Sequence, residues 1–98
     1  MFAALTVRRL KAGSYDEWRK AWEPSRWPRG AKKAYILRKV GDPDEVIAFG
    51  FFDADLEAIR GDPEMQDAQK QRFDAMAPHV QTTGADGFYE VVEEVTPP

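Results

Sequence analysis

A chain of 98 residues with hydrophobic residues at 43% and charged residues at 32% is expected to form one small globular domain spanning residues 1–98, not a disordered segment. It has no cysteine, which excludes disulfide staples, Cys-based zinc sites and thiol nucleophiles. The net charge of -3 conceals a division: through Gly41 the only acids are Asp16, Glu17 and Glu23, and from Asp42 onward the only bases are Arg60, Lys70 and Arg72.

The basic residues of the first half are spread over elements of every kind and line no single stripe. The two halves are therefore expected to interleave and neutralise one another, with no nucleic-acid partner. The amino-terminal apolar run is broken by Thr6 and ends at Arg8-Arg9, too short for a signal peptide. No segment reaches the length of a membrane span, so the cytoplasm is the expected location and no membrane partner is expected.

Phe2 to Leu10 reads as a first strand, with Ala3, Leu5 and Val7 alternating against Phe2, Ala4, Thr6 and Arg8. Lys11-Ala12-Gly13 is a turn, and Ser14 with Glu17 three residues on is a capping box. The helix that follows carries Tyr15, Trp18, Ala21 and Trp22 at helical spacing and stops at Pro24. A loop with Trp27-Pro28 and Gly30 leads to a second strand, Ala34 to Val40. Gly41 to Asp44 reads as a tight connection, with Pro43 suited to the second position of a type I turn, delivering the chain into Glu45 to Asp53 as a hairpin. Asp53 or Asp55 caps a short helix over Leu56 to Arg60, which breaks at Gly61. Asp62-Pro63 starts the next helix, whose inward stripe is Met65, Ala68, Arg72, Phe73 and Met76 and which ends before Pro78. Gln81 to Gly87 reads as a loop, Phe88 to Val95 as the last strand, and Thr96-Pro97-Pro98 as a tail.

The order β-α-β-β-α-β is the ferredoxin-like α+β plan, for which right-handed crossovers give a four-stranded antiparallel sheet in the order 4-1-3-2. Its third strand has no polar face: Ile47, Phe49 and Phe51 lie on one side, and Val46, Ala48, Gly50 and Phe52 on the other. Such a strand is covered on both sides. Two helices supply one cover, so a second copy of the chain is expected to supply the other, as a homodimer.

This chain resembles the dimeric α+β barrel superfamily, most of all its antibiotic-biosynthesis-monooxygenase-like branch. The resemblance covers nearly the whole chain and is carried by several features. They are the first strand running into Lys11-Ala12-Gly13-Ser14 before an aromatic helix, the hairpin, Phe52-Asp53 closing the third strand, and Asp62-Pro63-Glu64-Met65 restarting the second helix. It implies face-to-face pairing of two sheets and a pocket in each subunit between sheet and helices. It also implies activities ranging from cofactor-independent oxygenation of aromatic polyketides through haem degradation and lactone isomerisation to non-catalytic roles. The chain departs from the family's pattern in three places. Phe52 stands where tryptophan is frequent, Ile59 stands where several members have histidine, and the absence of any asparagine argues against haem degradation.

Candidates for chemistry are few. His79, the only histidine, is the candidate proton carrier near neutral pH, with a helix-end cation as the competing reading. Arg72, beside Phe73 on the second helix, is a candidate cation for a phenolate or enolate if it points inward, and a snorkelling surface residue if it does not. Trp22 and Trp27 are candidates for the wall or lid of a flat ligand's site, together with Tyr35, Phe52 and Phe73, whereas Trp18 reads as core. One histidine without cysteine makes a metal site improbable, and no cofactor-binding motif is present. Three functions follow as expectations: a cofactor-independent monooxygenase or isomerase acting on an aromatic, enolisable small molecule; a non-catalytic homodimer binding a small apolar or aromatic ligand; or a dimer with an interaction role alone.

Overall fold

In the computed structural model, which describes residues 1–98, four strands and three helices follow one another as β1 (Phe2–Leu10), α1 (Tyr15–Trp22), β2 (Ala31–Lys39), β3 (Asp42–Phe52), α2 (Leu56–Arg60), α3 (Pro63–Met76) and β4 (Val80–Glu90). A single 3-10 turn, Ala77–His79, joins α3 to β4. The strands form one antiparallel sheet in the order β2-β3-β1-β4, which is the order expected for the ferredoxin-like plan. No helix is long and apolar enough to cross a membrane.

The helix starts follow side-chain chemistry in two cases out of three. Asp55 accepts from the Glu57 amide at 3.0 Å, and Asp62 accepts from the amides of Glu64 and Met65 at 3.1 and 3.3 Å, with Pro63 in the first helical position. Ser14 holds the corresponding place before α1, but its side chain makes no capping bond, so the expected capping box is not formed. Its carbonyl takes the Trp18 amide instead, and burial of Trp18 and Trp22 holds the helix down.

Two further expectations are corrected. The hairpin turn is Val40-Gly41, with Gly41 at φ 87° and Lys39 opposite Asp42. Pro43 lies inside β3, where the register shifts between Arg38 and Lys39, so its missing N–H costs no ladder bond. The last strand begins at Val80 and ends at Glu90, so Gln81 to Gly87 is strand, whereas residues 91–98 have no regular structure. As an edge strand it is largely exposed and needs no apolar pattern; backbone pairing to β1 makes it a strand. Gly84 falls in a register shift, where Val7 pairs with Ala85 and Arg8 with Thr83.

The charge division dissolves as expected, through ion pairs between the two halves. Arg9 pairs with Asp42 at 2.8 Å, Arg8 with Asp86 at 3.6 Å and Lys39 with Glu45 at 3.6 Å, and Arg26 pairs with Glu64. The register sets Glu90 opposite Phe2, at the far end of β1 from these arginines.

The two faces of the sheet differ in what covers them. Leu10, Val46 and Ala48 face the helices and pack with Trp18, Trp22 and Met76 into one core cluster. The opposite face carries Leu5 and Val7 of β1, Ile47, Phe49 and Phe51 of β3, Tyr35 and Leu37 of β2, and Tyr89 of β4. Tyr35, Leu37 and Tyr89 are 44%, 46% and 48% exposed. Only 11 of 98 residues are buried, because the helices leave this apolar face open.

Candidate functional site

A cavity of about 820 Å³ lies between the helix-side face of the sheet and α1, α3 and the loop after α1. Its origin is a row of small residues across three strands. Ala4 of β1 pairs with Gly50 of β3, and Gly50 with Ala34 of β2, all of them lining the cavity floor. At one end of the sheet Trp18, Met76 and Leu10 fill the gap between layers, whereas along this row nothing projects far enough to fill it. Gly50 is neither bulged nor tightly approached, since an added Cβ would meet Ala34 at an ordinary 3.5 Å.

The walls are mostly aromatic and aliphatic. Trp22 and Trp27 meet edge to face with centroids 6.2 Å apart, and Phe52 and Phe88 close another side, also at 6.2 Å. Trp27, 48% exposed, stands at the mouth. Its loop is fixed at both ends. Arg26 forms an ion pair with Glu64 of α3, and the Gly30 carbonyl accepts from the Asp53 amide at 2.9 Å. Gly30 has φ 79°, and a Cβ there would lie 2.7 Å from the Asp53 carbonyl oxygen, so only glycine fits.

Arg72 points inward. Its Nε donates to the Trp22 carbonyl, its Nη1 donates to Gln69 Oε1 at 2.6 Å, and its guanidinium lies 5.1 Å from the Trp22 ring centroid. Burial, and then the neighbouring Arg8 charge, pull its pKa down to about 10, against the pull of Asp86 and Glu23, so it remains a cation at neutral pH. Arg8, 6% exposed, lies behind the wall, 5.6 Å from the Phe73 ring centroid, and burial lowers its pKa more than Asp86 raises it. Asp86 is the one acid on the cavity wall.

The fold thus brings together Trp22, Trp27, Phe52, Phe73 and Arg72 around one cavity. It does not bring in Tyr35 or His79. Tyr35 sits on the open face of the sheet, its ring 5.4 Å from that of Phe49, because strand alternation sends it away from the helices. His79 lies in the 3-10 turn, its carbonyl accepting from the Lys11 amide at 3.0 Å, at the end of the sheet that Leu10 and Met76 plug. Ile59 is on the cavity wall and offers no proton acceptor there. No three His, Asp or Glu side chains come together as metal ligands. The sequence reading missed Arg8 and Asp86. Alternation put Arg8 on one face with Ala4 and Thr6, which was a usable signal, but Asp86 fell in the segment read as a loop.

No family model matches this sequence, and no curated protein matches it. Solved structures do. SnoaB, a cofactor-independent oxygenase from Streptomyces nogalater, superposes with a TM-score of 0.70 at 12% identity, over 98% of this chain and 97% of its own. A candidate antibiotic biosynthesis monooxygenase from Nitrosomonas europaea gives 0.68 at 14% identity, over 95% of this chain and 100% of its own. Another, from Deinococcus radiodurans, gives 0.66 at 14% identity, over 100% and 99%. At such identities the likeness is one of architecture: the chain has the fold of the antibiotic-biosynthesis-monooxygenase-like proteins.

Proposed function

We propose that the chain forms a homodimer through the open faces of two sheets, and that each subunit holds a flat aromatic molecule in its sheet–helix cavity and oxygenates it without a cofactor. The observation that carries the reading is a half-buried arginine, Arg72, set in an aromatic-walled cavity. An aromatic substrate with an acidic CH₂ conjugated through its rings to a carbonyl group loses a proton to give a stabilised anion, which itself reduces O₂. Recombination gives a hydroperoxide at that carbon, and loss of water leaves a carbonyl, so that R₂CH₂ and O₂ become R₂C=O and H₂O. The protein's tasks are to hold the ring flat, exclude water and favour the anion. Trp22 and Trp27 serve the first two, and Arg72 serves the third.

The second reading, a homodimer that binds such a molecule without converting it, is favoured by one observation. The cavity wall has no histidine, and its one carboxylate, Asp86, is paired with Arg8. Oxygen uptake with dithranol, a hydroxyanthrone, separates the two. Wild-type protein is expected to consume oxygen faster than buffer, Arg72→Ala to lose at least about tenfold of that rate, and His79→Ala, outside the cavity, to stay within about twofold. Uptake equal to buffer, with saturable binding of 2-naphthol, establishes the non-catalytic reading; neither uptake nor binding removes both.

A further inference from the structure

Of the polar helix residues that line the cavity, Arg60, Gln66 and Lys70 are exposed, whereas Gln69 and Arg72 of α3 are half-buried. Arg72 is fixed from three directions. Its Nε donates to the Trp22 carbonyl, at the end of α1 where helix carbonyls have no intrahelical partner. Its Nη1 donates at 2.6 Å to Oε1 of Gln69, one turn back on α3, and its guanidinium lies 5.1 Å from the Trp22 ring centroid. Nη2 has no acceptor in the chain. The one buried side-chain nitrogen or oxygen without a partner is Trp18 Nε1, so Nη2 is not shut away but open to solvent, on a residue of the cavity wall. A guanidinium only donates, so the Gln69 atom that faces it is the oxygen. The amide nitrogen of Gln69 is then turned away from Arg72, with two hydrogens that no acceptor in the chain takes. Two adjoining side chains, locked to each other, thus keep open donors and no open carboxylate or amide oxygen.

We infer that Gln69 and Arg72 form an oxygen-binding corner of the cavity, a donor pair that takes a carbonyl or phenolate oxygen on the ligand's ring, with Gln69 as a specificity-determining residue beside the Arg72 charge. The inference rests on the reading of this cavity as the ligand site and names the chemical group the site selects. A ligand oxygen that only accepts can meet both donors at once, and a bond from an ionic donor is the stronger kind. A ligand N–H or O–H finds nothing equivalent, because Gln69 Oε1 and the Trp22 carbonyl are both engaged by Arg72. The other polar groups of the wall with an acceptor, Thr6 and Asp86, are carried by the sheet, and Asp86 is paired with Arg8. In an enolisable ligand, the oxygen held at this corner is the one on which charge collects once the proton is lost.

Calorimetric titration of the full chain with 1-tetralone and with 1-methylenetetralin, in which CH₂ replaces the carbonyl oxygen, tests this. Tetralone is expected to bind at least about tenfold more tightly. That preference is expected to shrink to about threefold or less in Gln69→Met, which is similar in length but offers neither donor nor strong acceptor, with methylenetetralin affinity little changed. Gln69→Glu still accepts from Arg72 but presents a negative charge and no donor, and is expected to shrink the preference as far. The ratio of the two affinities is the readout, since a change in packing alone moves both compounds together. Should Gln69→Met fail to fold, Gln69→Glu and the wild-type ratio decide. A tenfold ratio that survives in either folded variant overturns the inference. Equal affinity of the two compounds for wild-type protein overturns it as well, while sparing the cavity as an aromatic site. Failure of both compounds to bind overturns the cavity reading itself and the inference with it.

Discussion

Replacing Trp18 with alanine is expected to destabilise the fold by about 3–5 kcal/mol, the cost of deleting a large aromatic from a core that cannot close over the gap. The indole is 0% exposed and sits at the centre of the cluster of Leu10, Trp22, Val46, Ala48 and Met76. For a domain of this size that corresponds to a fall in Tm of roughly 20 °C. One feature tempers the figure: Trp18 Nε1 is buried without an acceptor, so the substitution also removes an unsatisfied donor. Trp27→Ala is the informative contrast. Trp27 is 48% exposed at the cavity mouth, so its loss is expected to change stability by no more than about 0.5 kcal/mol while weakening 2-naphthol binding. Thermal melts of the two variants beside a binding titration check both statements. Equal destabilisation by the two would remove the distinction between core and site tryptophans.

The second large effect is expected at the open face of the sheet. Phe49 lies there between Tyr35 and Phe51, with ring centroids 5.4 and 5.6 Å away. Wild-type protein is expected to sediment as a dimer at micromolar concentration, with an interface on the order of 2,000 Å², and its Tm is expected to rise with protein concentration. Phe49→Glu places a charge in the middle of that apolar face. It is expected to abolish the dimer and the concentration dependence, and to lower Tm by an amount that grows with wild-type concentration. A wild-type chain that sediments as a stable monomer contradicts the arrangement directly.

How much of this was legible in the sequence depended on whether a residue's role is set locally. The β1 bounds, the Asp62-Pro63 start of α3 and the two apolar faces of β3 were all readable, because each follows from alternation or capping within a few residues. Together with crossover handedness they give the strand order. The β4 segment was not readable. Thr82, Thr83, Gly84 and Gly87 have turn-like composition, and the edge strand owes its form to β1, about 75 residues earlier in the chain. That single displacement hid Asp86, and with it the partner of Arg8. Tyr35 was placed in the cavity by its chemistry, although its alternation with Ala34 and Ile36, both packed against the core, sends it to the other face. His79 drew notice as the sole histidine, a fact of composition that carries no position. The cavity floor was in the sequence as Ala4, Ala34 and Gly50, but only the register brings them into one row.

This chain is expected to receive an aromatic ligand in the cavity beside Trp22 and Trp27. Its three tryptophans make this testable in a single titration, by following the indole N–H resonances of nitrogen-15-labelled protein as 2-naphthol is added. The expected result is large, saturable shifts of the Trp22 and Trp27 signals, with the core residue Trp18 moving much less. Resonances that do not move at all, or shifts that never saturate, would contradict it.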